Sequence, residues 1–356
     1  MSEPQASEPI GEPRASEPIG EPRASEPIGT ACLGPQGRPR RLRAAATTAG
    51  VVAAVASAVF VARRLADGWA QAGPALRSAR PVWLVAALVC AAGAMVVVAR
   101  AWVAVIRALG GTIEHRRGAA CYFAGEIGKY LPGAVWPIVG RGELARRAGV
   151  RRGVAYASVV VSLGLWYLGA SLVAVVLAPW VAGDGPWPRF GGVAVALVAV
   201  GGAASALHPS VGARLLARVE RMLRGRALGI TVPSWRQSIA LAAGYLPAWA
   251  GISAATWCMT VALGAGSEVD AGRVVFAATL SWLVGFLALP VPGGVGVREA
   301  VFVTACGLPG GLGAAVAVSA RLIFVAVDAG GALVAGASVT RARARRRPVG
   351  EAATPR

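Results

Sequence analysis

Seven apolar runs, at about 45–62, 81–106, 153–182, 190–207, 239–263, 274–290 and 312–338, recur along the chain. About 20 helical residues cross a hydrocarbon core, so runs of this length read as membrane-spanning helices. Only 15% of the residues are charged, against roughly 25% in soluble domains, which fits a chain whose solvent is lipid. The fold class is therefore all-α, a polytopic bundle of seven to eight transmembrane helices.

The net charge of +19 raises the question of nucleic acid. Residues 1–43 hold six Arg and six Glu, so the whole excess lies in the apolar part of the chain. There it falls in short loops beside the apolar runs, the pattern that orients membrane proteins and attracts anionic headgroups. No nucleic-acid partner is expected. Cys32, Cys90, Cys121, Cys258 and Cys306 are scattered without a CxxC, and His115 and His208 sit at run ends in basic loops. Neither a disulfide framework nor a metal site is indicated, and no cofactor is expected.

Three regions follow from composition. Residues 1–43 repeat "ASEPIGEPR" almost three times between 6 and 29 and end in "RPRRLR". Pro and Glu at this density cannot bury a core, so the region reads as a disordered tail. Residues 44–340 form the membrane domain, and 341–356 a basic tail. Within the domain, "GARLLARVERMLRGR" in 208–237 is amphipathic and basic and suits the cytoplasmic headgroup layer. Four arginines before the first run place the N-terminus inside. Seven crossings would leave the terminal "RARARRR" outside; counting the broken segment 289–311 as an eighth makes both termini cytoplasmic. The loop 63–80, with four arginines on the outside, fits that count poorly.

Two segments interrupt the apolar pattern: "AGEIGKYLPGAVWPIVGRGELARR" (124–147) and "LPVPGGVGVREAVFVTACGLPGG" (289–311). Pro132, Pro137, Pro290 and Pro292 remove donors, while Gly133, Gly140, Gly293, Gly294 and Gly296 relax the backbone. Unpaired backbone groups cost several kcal/mol in hydrocarbon, so such stretches persist only around protein or a wet cavity. Each runs Leu-Pro, then Gly/Pro-rich, then Arg with Glu nearby, then helix. Matching interruptions in two halves predict an internal repeat with a site between the halves. A re-entrant helix starting after "PGG" would aim its N-terminal amides at an anionic group such as a lipid phosphate.

Ionisable groups inside a membrane domain are costly and default to function. The candidates are Glu126, Lys129 (the only lysine), Arg141, Glu143, Arg298, Glu299, Arg321 and Asp328. Glu126 and Lys129 share a helical face, as do Arg321 and Asp328. The acids are equally read as partners that hold the bundle, whereas Lys129, Arg141 and Arg298 lean towards phosphate contact. Tyr130 and Trp136 are expected to anchor at the interface, and Arg100 to snorkel.

"GKYLPGAVWP…GRGELARRAGV" and "LPVPGGVGVREAVFV" resemble the lysylphosphatidylglycerol synthase transmembrane-region, or flippase-like, family over about residues 45–340. Lys129, Pro132, Gly133, Arg141, Gly293, Gly294, Arg298 and Glu299 are the positions that match. In bifunctional members of that family the membrane domain moves an aminoacylated phospholipid between leaflets, and a cytosolic domain makes it. Only about 18 residues follow the last run, so the resemblance is to the stand-alone membrane domain, without synthase activity. It implies a phospholipid or polyprenyl-linked lipid as cargo.

The expectation is a flippase-like transporter in the cell membrane. It would take an anionic phospholipid or polyprenyl-phosphate lipid into a pocket made by two broken helices. Glu126, Lys129, Arg141, Gly293, Gly294, Arg298, Glu299, Arg321 and Asp328 would bind the cargo. The alternatives are a scaffold or regulatory subunit for a partner glycosyltransferase or synthase, and an intramembrane transferase with Glu299 or Glu126 as base. No Ser/His/Asp arrangement, metal cluster or GxxxxGK[ST] loop supports an enzyme.

Overall fold

The computed structural model describes residues 66–130, 135–181, 197–222, 227–288 and 292–345, with isolated positions 59, 62 and 63. The chain divides into Met1–Arg43 and Ala44–Arg356, and every described residue belongs to the second unit. The Pro/Glu repeat, nearly all of the first apolar run and the final residues lie outside the described set. Among the described residues all regular structure is helical.

Among the described residues, four helices are long and apolar enough to cross a membrane. The first, α2 (Pro81–Ala108), follows the short α1 (Trp69–Arg77) and starts with Pro81 in its first turn, where a missing donor costs nothing. The second is α5 (Arg152–Val181). The third runs through α8 (Trp235–Ala243) and α9 (Leu246–Ala262), which together form one apolar stretch from Trp235 to Ala262. Ser234 caps α8 and exchanges hydrogen bonds with Gln237, and Pro247 sits in the first turn of α9. The last is α12 (Gly310–Arg345). Of the run at 190–207, residues 197–206 form a helix, α6. After it comes α7 (Pro209–Met222), which exposes Leu215 and Val219 beside Arg214 and Arg218, as an interfacial helix does.

The two broken segments are helical hairpins. Helix α3 (His115–Glu126) ends in a 3₁₀ turn, Ile127–Tyr130, and the chain returns as α4 (Trp136–Arg147). Helix α10 (Ala271–Leu287) leads to a 3₁₀ turn, Pro292–Gly294, and returns as α11 (Val297–Ala305). Asp270 caps α10 by accepting from the Gly272 and Arg273 amides.

Each hairpin comes back to the end it started from. The Arg151 guanidinium at the exit from α4 donates to the Gly110 carbonyl just before α3, at 3.3 Å. The Arg273 side chain at the start of α10 reaches the Ala305 carbonyl at the end of α11, at 3.4 Å. The two hairpins enter from opposite ends of the bundle. Where α2 finishes, the Thr231 amide bonds the Leu109 carbonyl at 3.2 Å; this end carries Arg107, Arg116, Arg117, Arg146, Arg147, Arg151 and Arg152. Where α2 begins, the Arg80 amide bonds the Ala262 carbonyl at 3.0 Å.

An apolar core lies at each end. One, at the arginine-rich end, joins Trp102, Val103 and Ile106 to Val154, Tyr245 and Trp249. The other joins Met259, Val274, Phe302, Cys306 and Val316. The hairpin tips meet between them, because a Cβ on Gly293 would lie 3.5 Å from the Lys129 carbonyl oxygen.

The expectation that segment 289–311 supplies an eighth crossing is thereby corrected. Nine residues of α11 rise roughly 14 Å, about half of the ~30 Å that a crossing needs. The run at 274–290 and the segment after it are two limbs of one re-entrant unit. Since a hairpin entering and leaving at one end changes no parity, the topology no longer requires the extra crossing.

Candidate functional site

The hairpin limbs are pinned by glycine. A Cβ on Gly125 in α3 would lie 3.0–3.1 Å from the Arg141 backbone on α4, so tight that the opposing limb would have to give way. Gly294 does the same for the second hairpin: its φ is +66°, and a Cβ there would lie 2.8 Å from the Gly285 carbonyl. A left-handed backbone at that separation admits only glycine. Gly293 and Gly294 are therefore structural members of the site, and Gly293 also gives its carbonyl to Arg321 at 3.1 Å.

A cavity of about 150 Å³ opens where the tips meet. That is many times the ~10–15 Å³ one water needs, so it has room for several waters, and the charged groups lining it would give them polar partners. Glu126, Lys129, Arg141, Gly293, Gly294, Arg298, Arg321 and Asp328 all line it. Glu299 stands just behind, in a smaller adjoining cavity that shares Arg298 and Arg321. Residues more than 200 positions apart thus share one pocket, including every site residue that the sequence singles out for binding or, for Glu299, its wall. Pro132 and Gly133 of the matching motif lie outside the described residues.

Most of the charges are paired. Lys129 Nζ lies 3.1 Å from Glu126 and 2.7 Å from Asp328. Arg141 Nε lies 3.5 Å from Glu126. Arg321 meets the Glu299 carboxylate at 2.6 Å. Arg321 and Asp328 lie seven residues apart on one face of α12 but do not pair with each other. Asp328, only 1% exposed, holds the tip of the first hairpin, whereas Arg321 holds the second through Glu299 and Gly293. Helix α12 clasps both hairpins with opposite charges.

Arg298 is the exception. Its guanidinium lies 3.7 Å from the centroid of the Trp282 ring, a stacked cation–π arrangement. No carboxylate among the described residues lies within ion-pair distance of it. Arg141 has the matching ring, Tyr122, at 5.2 Å, and in addition Glu126.

Three expectations are revised. Tyr130 is no mere interface anchor: its hydroxyl donates to Asp328 at 2.6 Å and lines the cavity. Glu143 lies away from the pocket, bound at 2.8 Å by both Arg146 and Arg147 at the arginine-rich end. Hydrogen bonds from those arginines pull its carboxyl down to about 2. Finally, the N-terminus of α11 is not left open for an anion, since the Glu299 carboxylate accepts from the Gly296 amide at 2.6 Å. The chain fills its own helix end.

The sequence reading missed the aromatic wall. Trp166, Tyr167, Trp282, Phe286 and Phe324 line the cavity; Tyr167 stacks on Phe286 at 3.8 Å, and Trp282 meets Phe324 edge-on at 5.3 Å. In an apolar run such rings read as ordinary core. The one available signal was register: Tyr122 and Trp282 each stand three residues before the glycine that meets the opposing arginine.

Comparison with protein families supplies a match across this architecture. The family model described as the lysylphosphatidylglycerol synthase TM region matches residues 47–336, a span that contains both hairpins and the whole pocket. No curated protein matches the chain.

Proposed function

The chain belongs to the lysylphosphatidylglycerol synthase TM-region family, a membrane domain with a lipid-related role, and on that premise we propose that it moves a lipid between leaflets. The observation that carries this reading is the cavity lined by charged groups between two hairpins entering from opposite ends. A headgroup seated there is halfway across. Release towards either end requires one hairpin to part from α12, breaking Lys129–Asp328 on one side or Arg321–Glu299 on the other.

The pocket's edge also suits a lipid. Trp136 and Leu287, exposed apolar residues, adjoin the lining residues Pro137 and Ala288. Acyl tails can stay in the bilayer while the polar head enters, so only the head must be solvated by protein. The pocket is read as binding rather than catalytic because Glu126 and Glu299 are engaged through both oxygens, by Lys129 and Arg141 and by Arg321 and the Gly296 amide; Asp328 gives Oδ2 to Lys129 and Tyr130, while its Oδ1 is buried without a hydrogen-bond partner among the described residues. A general base needs a free lone pair facing substrate. By the positive-inside rule the arginine-rich end is read as cytoplasmic, so on this proposal α12 ends inside.

Reconstitution with labelled lipids tests this. The protein should accelerate leaflet exchange, and Lys129→Ala or Arg298→Ala should slow it at least tenfold. Unchanged rates in both variants would remove the site assignment. A protein that binds lipid here but moves none would instead be a lipid-binding scaffold for a partner enzyme.

A further inference from the structure

We propose that the cargo headgroup carries a single net negative charge, a phosphodiester monoanion, and that Arg298 is the residue that binds it. The inference rests on the transport reading above and narrows its substrate class, setting a phosphodiester lipid apart from a lipid diphosphate.

The charge inventory of the pocket carries it. Lys129, Arg141, Arg298 and Arg321 bring four positive charges, and Glu126, Asp328 and Glu299 bring three negative ones. Lys129 and Arg141 are matched by Glu126 and Asp328, and Arg321 by Glu299. The remaining excess of one is localised on Arg298, whose guanidinium face is covered by Trp282. A stacked guanidinium keeps its edge N–H groups for hydrogen bonding, and that planar fork fits two phosphate oxygens at once. A charge left unmatched in low dielectric is costly, and one monoanion removes the cost. A diphosphate would convert an excess of one positive charge into an excess negative one, in a pocket where every other cation already has a partner.

Comparing the hairpins shows why Arg298 is the unmatched member. In the first, Tyr122, Gly125 and Glu126 on the outgoing limb face Arg141 on the return. In the second, Trp282 and Gly285 occupy the same register, at the same three-residue spacing, and face Arg298. The position corresponding to Glu126 is Phe286, whose ring stacks on Tyr167 instead. The carboxylate that neutralises the first arginine is replaced by an aromatic ring beside the second.

The experiment compares exchange rates of labelled phosphatidylglycerol, phosphatidylcholine and, at pH 8, phosphatidic acid in proteoliposomes of the full chain. These headgroups carry one negative charge, none and two, since a phosphate monoester ionises a second time near pH 6. Phosphatidylglycerol should move on the order of tenfold faster than either of the others, the scale of one uncompensated charge at a partly buried site. Arg298→Gln should erase the preference over phosphatidylcholine. Asp328→Asn, which raises the excess to two, should shift the preference towards phosphatidic acid. Because each readout is a ratio between lipids, a variant with lowered overall activity still reports.

If all three lipids move alike, or phosphatidic acid leads in the unaltered protein, the single-charge inference is overturned while transport stands. If the protein accelerates none of them, the transport reading itself fails. If soluble glycerophosphoglycerol competes as well as the lipid does, the ligand is a free phosphodiester and the lipid assignment falls.

Discussion

The two hairpins are built to one plan and differ at one telling place. Each packs a return-limb arginine against a glycine of its outgoing limb, under an aromatic ring. The first hairpin completes its arginine with Glu126, adds Lys129 and locks to Asp328 on α12. The second spends its acid, Glu299, on Arg321 and the Gly296 amide, and has Phe286 where Glu126 would stand. The first hairpin is thus electrostatically closed, whereas the second leaves Arg298 without a carboxylate among the described residues, which is what the proposed reading takes as its open receptor. On the proposed reading, the pocket binds its cargo where the second hairpin lacks the acid that completes the first.

The strongest way to break this comparison is to complete the second copy. Phe286→Glu would give Arg298 the partner that Arg141 has. Leaflet exchange should fall by at least tenfold, because the headgroup then competes with a resident carboxylate. Thermal stability should change little, since a well-matched buried pair is close to neutral against an apolar alternative. Retained exchange with the pair formed would contradict the open-receptor reading. Next come the glycines. Gly125→Ala and Gly285→Ala both place a methyl group against the opposing arginine, and each should cost about 1–3 kcal/mol in denaturant titration as overpacking does. Matching losses support equivalence of the hairpins; a loss at only one site shows that the register is not shared. A smaller effect is expected at the latch. Tyr130→Phe deletes the hydroxyl bond to Asp328 and should cost about 0.5–1.5 kcal/mol, with the lipid preference unaltered. The smallest belongs to Glu143, which is outside the pocket: between pH 5 and 8 Glu143→Gln should leave exchange unchanged and lower the melting temperature only slightly, because the ion pairs it loses are exposed. Its carboxyl is pulled below the usual range, so any stabilisation it contributes is present above the ordinary carboxylate pKa near 4.3. That stabilisation is lost only as the pH falls towards about 2.

Much of this architecture is legible in the sequence. Hydrocarbon leaves few options to a chain with long apolar runs, and irregular backbone rich in Pro, Gly and charge must line a cavity. That is enough to find both interrupted segments and to bring Lys129, Arg298 and Asp328 to one site. The pairing was not legible, because it depends on contacts across long separations. Glu126–Lys129 follows from helical spacing, but Lys129–Asp328 joins residues 199 positions apart. Nothing in the local pattern tells Arg141 from Arg298. Their difference lies in Phe286, an apolar residue in an apolar run, which becomes informative only when the hairpins are laid on one another. The return of α11 was hidden for a similar reason: its composition allows a crossing, and only its nine-residue length and the Arg273–Ala305 contact rule one out.

The claim on which the rest depends is that the two tips meet inside the membrane. Cysteines introduced at Lys129 and Gly293, in a background without the native cysteines, can be tested in intact membranes with a short thiol-to-thiol cross-linker. The account predicts an intramolecular link at these positions, where a Cβ on Gly293 would lie 3.5 Å from the Lys129 carbonyl oxygen. Absence of that link, while a pair at Arg273 and Gly307 joins under the same conditions, would contradict it.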